Sequence, residues 1–322
     1  MPQPPVSGHG RPVVAVEADE PQTVWAGFGP PAEGFDCVID TDAYNETDDQ
    51  FAISYLLKSG RANVRGIFAA PFFNENSTSP GDGMEKSHAE ILNLISLMGK
   101  EDMKALVFKG SDRYLPDEKT PVVSDAAREL CRLAGEHSPE NPLYVVSIGC
   151  ITNIASAIIM DPAVADNTVI VWLGGHSPHW CDTAEFNMMQ DVAAARVVFG
   201  CGAPLVQLPC AGVVSEFYST RPELDFWLKG KNKLCDYLVE HTVEAAESYA
   251  KGRVWSRVIW DVTAVGWLFN GGDRFMMSEI TPAPIPEYDN HYAFDPRRHT
   301  MRRVTHIHRD ALMGDMFSIL SK

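Results

Sequence analysis

The segment FDCVIDTDAYNETDDQFAISYLL, residues 35–57, decides the fold. Its short apolar run predicts a buried strand over 36–39, and the apolar pattern that follows predicts a helix over 48–57. Similar short apolar runs alternate with helical stretches along the chain. This alternation is typical of βαβ units, so we predict one α/β domain with a doubly wound, mostly parallel central sheet flanked by helices.

The remaining elements are predicted in the same way. Further strands are expected over 64–69, 105–108, 144–147, 169–173 and 204–208, and further helices over 88–98, 125–133, 153–160, 192–199, 236–250 and 261–269. The domain is expected to span 35–322, and a helical insertion or cap over 217–257 stays open. Residues 1–34, rich in Pro and Gly, are expected to form an extended surface arm.

The composition excludes several classes of protein. A formal net charge of -16 opposes binding to a phosphate backbone, so nucleic-acid polymers are not expected as partners. Seven cysteines without close C-x-x-C pairs indicate free thiols in a reducing compartment. The prolines near the N-terminus do not suit a secretion signal, and no stretch is long and apolar enough for a membrane span. We therefore expect a cytoplasmic enzyme acting on a small molecule.

The loop that leaves the first strand is strongly acidic. Its carboxylates are Asp40, Asp42, Glu46, Asp48 and Asp49. Such crowding is repulsive unless protons or a cation neutralise it, and hard oxygen ligands suit Ca²⁺ or Mg²⁺, with Ca²⁺ favoured in a large, irregular site. An EF-hand is excluded because Tyr44 and Phe51 stand at positions where that motif needs oxygen ligands.

The same residues have a simpler interpretation. Thr47, Asp48 and Asp49 suit the first turn of the helix that follows, as caps and as charges favoured by the helix dipole. Adjacent helical residues point about 100° apart. We therefore expect that Asp48 and Asp49 do not both face one ligand, so that one holds the metal and the other meets the substrate.

Three later segments carry candidate ligands. Ile148-Gly149 follows a predicted strand, and a tight turn at Gly149 would free the Ile148 carbonyl. In Glu185-Phe186-Asn187 the two polar side chains alternate with Phe186, which is expected to pack away from them. Asp261, after Trp260, opens a helix. An ordinary turn, an exposed polar loop and a helix N-cap are the respective alternatives for these three segments.

Taken together and in order, these segments resemble the nucleoside hydrolases. The family's opening Asp-x-Asp and Asp-Asp pairs are matched by Asp40, Asp42, Asp48 and Asp49. The turn GCITNIA at 149–155 is similar to Gly-x-Leu-Thr-Asn-Ile-Ala, and 185–195 is similar to the family's Glu-Phe-Asn and Asp-Pro-x-Ala-Ala stretch. Asp261 matches the late metal aspartate. The resemblance runs from about residue 35 to residue 269.

The resemblance implies hydrolysis of the N-glycosidic bond of ribonucleosides, a reaction of nucleoside salvage, by a Ca²⁺-bound water that gives a proton to Asp42. The implied ligands of Ca²⁺ are Asp42, Asp49, Asp261 and the carbonyl of Ile148. The implied contacts to the ribose hydroxyls are Asp48, Asn74, Glu185 and Asn187. A homodimer or homotetramer is expected by analogy alone.

The chain departs from the family pattern at two places. The loop between the aspartate pairs is AYNET, longer than the usual Pro-Gly-x, which leaves the substrate open. Trp260 stands where many members have a histidine that protonates the leaving group, and it resembles the purine-preferring members, so purine nucleosides are favoured.

Two rival functions remain at this point. An aspartate-based phosphohydrolase would form an aspartyl-phosphate on Asp40-x-Asp42, although Ala43-Tyr44 suits that motif poorly and Glu185 and Asn187 would have no role. A non-catalytic protein that binds Ca²⁺ or nucleosides would result if the longer loop displaced Asp42.

Overall fold

The computed structural model describes residues 29–32 and 34–322. The predicted arm at 1–34 therefore lies almost wholly outside the described residues. The strands are β1 (Phe35–Thr41), β2 (Ala62–Ala69), β3 (Val107–Lys109), β4 (Leu143–Ser147), β5 (Thr168–Leu173), β6 (Leu205–Leu208), β7 (Tyr218–Ser219), β8 (Arg257–Val258), β9 (Met276–Pro282), β10 (Ile285–Pro286), β11 (Tyr292–Ala293) and β12 (Thr300–Ile307).

The helices lie between these strands and at the end of the chain. They are α1 (Asp48–Ser59), α2 (Pro80–Leu97), α3 (Asp125–Ala134), α4 (Thr152–Met160), α5 (Ala163–Asn167), α6 (Phe186–Gln190), α7 (Val192–Gly200), α8 (Arg221–Trp227), α9 (Lys233–Ala250), α10 (Val262–Leu268) and α11 (Arg309–Leu320).

Eight strands form the central sheet in the order β3-β2-β1-β4-β5-β6-β12-β9. Neighbours are parallel except β12 and β9, which pair antiparallel at one edge. The chain moves outward on one side of β1 and then returns to its other side with β4. In such doubly wound sheets ligands bind at this switch point, beyond the carboxyl ends of the strands. The predicted α/β fold class is confirmed.

The core lies on both faces of this sheet. Alternate residues of β1 point to opposite faces, so Cys37 and Ile39 pack with α1 and α10 while Val38 packs with α3 and α4. Each strand is thus buried on both sides, as parallel sheets require. Within the described residues no helix is long and apolar enough to span a bilayer, and all seven cysteines are free thiols.

Several predicted boundaries were wrong. The strand expected at 105–108 begins only at Val107, because residues 101–106 form a 3₁₀ helix. Helix α2 begins at Pro80 and not at residue 88, because the Ser79 side chain accepts a hydrogen bond from the Asp82 amide and Pro80 occupies the first turn. Residues 217–257, left open as an insertion, contain α8 and α9 and are bracketed by the antiparallel pair β7 and β8.

Candidate active site

A cavity of about 380 Å³ opens at the carboxyl ends of β1, β4 and β5. All nine residues predicted from the sequence to hold metal or substrate line it: Asp42, Asp48, Asp49, Asn74, Ile148, Glu185, Asn187, Trp260 and Asp261. They come from five separate segments, and the parallel sheet delivers the ends of those segments to one edge.

Three carboxylates meet at the floor of the cavity. Asp48, Asp49 and Asp261 each offer one oxygen within 4.8 Å of the others. The two carboxylates therefore reach the same space, because side chains on neighbouring Cα atoms about 3.8 Å apart can converge. The assignment of one to a metal and the other to the substrate stays a prediction. Asp49 is held by the Thr41 hydroxyl, which donates to its carboxylate across 2.5 Å.

Asp42 occupies a different position in the same cavity. It is 1% exposed, and neither of its carboxylate oxygens has a hydrogen-bond partner among the described residues. A buried carboxylate without partners is costly, so such a group normally awaits a ligand, an ion or water. Asp48 Oδ1 is also buried and has no hydrogen-bond partner among the described residues.

The helix-cap alternative fails for two of its residues. Within the described part of the chain neither Thr47, before α1, nor Asp261, before α10, makes a side-chain capping hydrogen bond. Asp261 has helical backbone angles and directs its carboxylate towards Asp49 instead. These side chains therefore do not serve the backbone of the helices that they begin.

Burial and mutual repulsion raise the pKa values of the cluster. Loss of solvent raises the pKa of Asp42 well above its usual range, and the charge of Asp49 adds to this. Burial raises the pKa of Asp49 to about 7 despite its hydrogen bond from Thr41. The pKa values of Asp48 and Asp261 are raised for the same reasons, burial first and neighbouring carboxylates second. A divalent cation would reverse these shifts.

Asp40 belongs to the structure beneath the cavity and does not line it. Its side chain is fully buried and accepts hydrogen bonds from Asn153 Nδ2 at 2.7 Å and Ser147 Oγ at 3.1 Å. Burial raises the pKa of Asp40 to about 7. Asn153 also accepts from Ser111, so this network joins β1 to β4 and α4 below Asp42.

The Ile148 carbonyl and the Glu185-Phe186-Asn187 segment face the cavity together. Asn187 Nδ2 donates to the carbonyl of Ile148 at 3.2 Å and to that of Leu173 at 3.0 Å. Glu185 caps α6 and accepts hydrogen bonds from the backbone amides of Gly175, Asn187 and Met188, which fixes its carboxylate. The prediction that Phe186 packs away was wrong, because it begins α6 and lines the cavity.

Gly149 has a different role from the one predicted. It does not lie in the left-handed region, so the turn does not need a glycine for its backbone angles. A Cβ atom at this position would lie 3.0 Å from Asp42 Oδ1 and 3.1 Å from the Ala70 Cβ. A larger side chain at this position would press on Asp42, which occupies the space beside it.

Side-chain contacts hold Asn45 and Glu46, the two residues in the middle of the longer acidic loop. Asn74 Nδ2 donates to Asn45 Oδ1 across 2.5 Å, and Glu46 forms a 2.6 Å ion pair with Arg257 of β8. Loop 44–47 therefore forms a wall of the cavity, and Asp42 keeps its place. Arg257 lies close enough to Asp48 to act on its charge.

Sequence reasoning missed other residues of the cavity. They include Asn45, Glu46, Glu75, Phe186, Cys210 and His176. His176 Nδ1 accepts a hydrogen bond from the Ala211 amide at 3.1 Å, which leaves Nε2 as the protonated nitrogen of the neutral ring. Burial lowers the pKa of His176. Its position after the Gly174-Gly175 turn was the only available signal, and a lone histidine in a loop is a weak one.

The residues present fit a hard divalent cation. The oxygen donors that line the cavity include carboxylates and the Ile148 backbone carbonyl, which are the ligands that Ca²⁺ and Mg²⁺ prefer. The unpartnered oxygens of Asp42 and Asp48 supply the unbalanced negative charge that such an ion would satisfy. Among the described residues, no lysine or arginine lines this cavity, and Arg257 is the one that lines the adjoining cavity. Protein cations therefore do not neutralise the cluster.

Comparison with known proteins identifies the family of this chain. The family model described as inosine-uridine preferring nucleoside hydrolase matches residues 37–308. The chain is 28% identical over 220 residues to a probable uridine nucleosidase 2 of Arabidopsis thaliana, covering 62% of this chain and 66% of that relative. It is 28% identical over 181 residues to the pyrimidine-specific ribonucleoside hydrolase RihA of Citrobacter koseri, covering 49% of this chain and 55% of that relative.

These matches leave part of each curated relative uncovered, since the chain spans 66% of the first and 55% of the second. Among solved structures, a purine-preferring ribonucleoside hydrolase from Gardnerella vaginalis superposes with a TM-score of 0.70 at 18% identity, covering 89% of this chain and 98% of that structure. That likeness shows the fold. With a family match across residues 37–308, the chain belongs to the inosine-uridine preferring nucleoside hydrolase family.

Proposed function

We propose that this protein hydrolyses the N-glycosidic bond of ribonucleosides to free base and ribose, with Asp42 as the general base and Ca²⁺ as the cofactor. The observation that carries the proposal is the buried, unpartnered carboxylate of Asp42, which shares one cavity with the other eight predicted residues. A proton acceptor must lie within hydrogen-bond reach of the attacking water, and an unpartnered carboxylate is free to accept.

Asp49, Asp261, Asp42 and the Ile148 carbonyl would hold Ca²⁺, and Asp48 lies close enough to contribute an oxygen. When bound, the ion lowers the pKa of water and neutralises the cluster. Ca²⁺ is a weak Lewis acid, so the proton still needs an acceptor, which is Asp42. A bound cation would favour the ionised form of Asp42, which is the form that can accept a proton.

The remaining polar groups fix the sugar. Asp48, Glu185, Asn187 and Asn74 contact its hydroxyls, and the three backbone amides on Glu185 hold that carboxylate in one orientation. The carboxylates also stabilise the positive charge that develops on the ribosyl ring as the bond to the base breaks. Because the hydroxyls position the sugar, 2′-deoxyribonucleosides are expected to react much more slowly than ribonucleosides.

Base preference follows from the residues around the leaving group. Trp260 is partly exposed and lines the cavity, which supports stacking on a purine and thus a preference for purine nucleosides. The curated relatives carry uridine and pyrimidine names, and a structural relative carries a purine name. A panel of substrates decides between these classes. A cytoplasmic location and a homodimer or homotetramer stay predictions.

The aspartyl-phosphate alternative has little support. Asp40 is fully buried and engaged by Asn153 and Ser147, so it has no open path to a phosphate. The non-catalytic alternative required a displaced Asp42, yet Asp42 lines the cavity.

The test is a panel of purine and pyrimidine ribonucleosides, their 2′-deoxy counterparts and ribose 5-phosphate, assayed with Ca²⁺ for free base and reducing sugar. Release of base from ribonucleosides, with the deoxy forms much slower, supports the proposal. Phosphate release from ribose 5-phosphate with intact nucleosides would replace it with the phosphohydrolase. Tight nucleoside binding without release of base would favour the non-catalytic protein.

A further inference from the structure

A second cavity, of about 560 Å³, lies beside the first. Four residues line both cavities: Asn45, Glu46, Asn74 and Glu75. The second cavity is enclosed by loop 44–47, by residues 74–76, by one face of α9 and by Arg257. The first cavity alone already falls within the range of about 300–1,000 Å³ that is usual for small-ligand sites. A simple nucleoside does not require the second, larger volume.

The walls of the second cavity are aromatic. Tyr237, His241 and Tyr249 project from the same face of α9, and Tyr44 projects from the loop opposite. The rings of Tyr237 and His241 lie with centroids 4.0 Å apart at 37°, and the Tyr237 hydroxyl donates to Glu90 at 2.7 Å, which fixes that pair. Tyr249 is 59% exposed, so its ring offers a free face. These rings suit contact with a flat aromatic group.

Three residues that line the second cavity also carry polar atoms without partners. Thr47 and Gln50, 7% and 4% exposed, line the cavity, and their Oγ1 and Oε1 atoms have no hydrogen-bond partner in the described part of the protein. Arg257 Nε is likewise unpartnered. Buried polar groups in native proteins are nearly always satisfied, so these three atoms indicate a ligand or water.

The charged residues around the second cavity limit the charge of the group that it can bind. Glu46, Glu75 and Glu244 border it, and its one arginine is already paired with Glu46. An anionic group would be repelled, whereas a neutral or cationic aromatic group would not.

We propose that the second cavity binds a neutral aromatic substituent carried on the base of the substrate, so that the preferred ribonucleosides are base-substituted. This rests on the proposed function. Three of the four proposed ribose contacts, Asp48, Glu185 and Asn187, line the first cavity only, so the base is the part of the substrate that extends past Asn74 and the other shared residues. The lengthened loop, which departs from the family pattern, supplies Tyr44, Asn45 and Glu46 to this boundary.

The experiment compares adenosine with N6-benzyladenosine, and cytidine with N4-benzylcytidine, so that it does not depend on which base is preferred. Kinetics are measured on the Ca²⁺-loaded enzyme, and binding on Asp42→Asn. For at least one pair we expect the benzyl compound to bind and react better by roughly tenfold, the factor that about 1.4 kcal/mol gives. A 4-carboxybenzyl analogue is expected to lose this gain.

Variants of Tyr249 test whether the benzyl preference depends on the second cavity. Tyr249→Ala is expected to remove most of the benzyl preference, and Tyr249→Phe, which keeps the ring, to retain it. Phe226→Ala is the matched control, because Phe226 is 72% exposed on α8 and lines neither cavity. A benzyl preference that survives Tyr249→Ala, or equal affinity for plain and benzylated nucleosides, overturns the proposal.

The same measurements test the proposed function and the role of the second cavity separately. If plain nucleosides are hydrolysed and the benzyl group confers no advantage, the second cavity is a solvent-filled depression and the proposed function stands. If no nucleoside is hydrolysed but benzylated ligands still bind better and lose that gain in Tyr249→Ala, the cavity assignment stands and the proposed function fails.

Discussion

Gly149→Ala tests the position of Asp42 without changing any candidate catalytic side chain. The added Cβ would lie 3.0 Å from Asp42 Oδ1, 3.2 Å from its Cγ and 3.1 Å from the Ala70 Cβ. Non-bonded heavy atoms prefer separations of about 3.5–4.0 Å, so the carboxylate must retreat by roughly 0.5 Å. Alanine is not strained by its backbone angles at this position, because Gly149 is outside the left-handed region.

The expected effect is mainly on catalysis. Because displacement of a reacting group by about 1 Å can cost roughly a hundredfold, a retreat of half that distance should lower kcat about tenfold. Overpacking costs about 1–3 kcal/mol, which corresponds to a fall of a few degrees in Tm. The measurements are kcat and KM for the best ribonucleoside of the panel, and Tm by calorimetry with Ca²⁺ present.

Gly200→Ala is the matched control. Gly200 ends α7, and a Cβ atom there would meet no heavy atom within 4 Å, so kcat and Tm should stay close to wild type. A Gly149→Ala enzyme with the kcat of wild type would refute the reasoning. It would mean that Asp42 tolerates displacement and is not the base.

Three other predictions concern the same cluster. Asp42→Asn should fold and bind nucleoside but lose about 10²–10⁴ of kcat, as is usual when a general base is removed; hydrolysis at the wild-type rate would exclude Asp42 as the base. Chelation should abolish hydrolysis, and added Ca²⁺ should restore it. Ca²⁺ at about 100 times its Kd should stabilise the fold by about 2.7 kcal/mol in thermal unfolding. Full turnover in excess chelator would remove the metal from the mechanism. The metal-free protein should lose stability as pH rises from about 4 to 7. The reason is that Asp40 and Asp49 have pKa values of about 7 in the folded state against about 3.9 when unfolded, so the folded state binds more protons over that range. A Tm that rises over that range without Ca²⁺ would contradict these shifts.

The parallel part of the sheet was predictable because its strands are buried on both faces. Continuous apolar runs such as those of β4 and β5 identify such strands without any partner. The antiparallel edge was not predictable in this way. In β12 the buried residues are Met301, Val304 and Ile307, spaced by three, and the register shifts between Val304 and His306. With two arginines and a histidine between them, this pattern does not resemble a strand.

All nine residues of the predicted site line one cavity, because each follows a strand or begins a helix at the same edge of the sheet. Their roles stay predictions. The contacts that sequence could not supply join segments far apart in the chain, such as Asn45 to Asn74 and Glu46 to Arg257. No local pattern encodes which side of a loop meets a distant strand, and a polar residue in a loop is ordinarily solvated.

The two departures from the family pattern, the lengthened loop and Trp260, both border the first cavity. Asp42, Asp49 and Asp261, together with the turn after β4, match the family pattern and gather at the cavity. The lengthened loop supplies Asn45 and Glu46 to the boundary with the second cavity. Metal and ribose chemistry tolerate little displacement, whereas the space around the leaving group can change without loss of catalysis. The substrate named for a relative therefore does not transfer to this chain, and the base preference has to be measured.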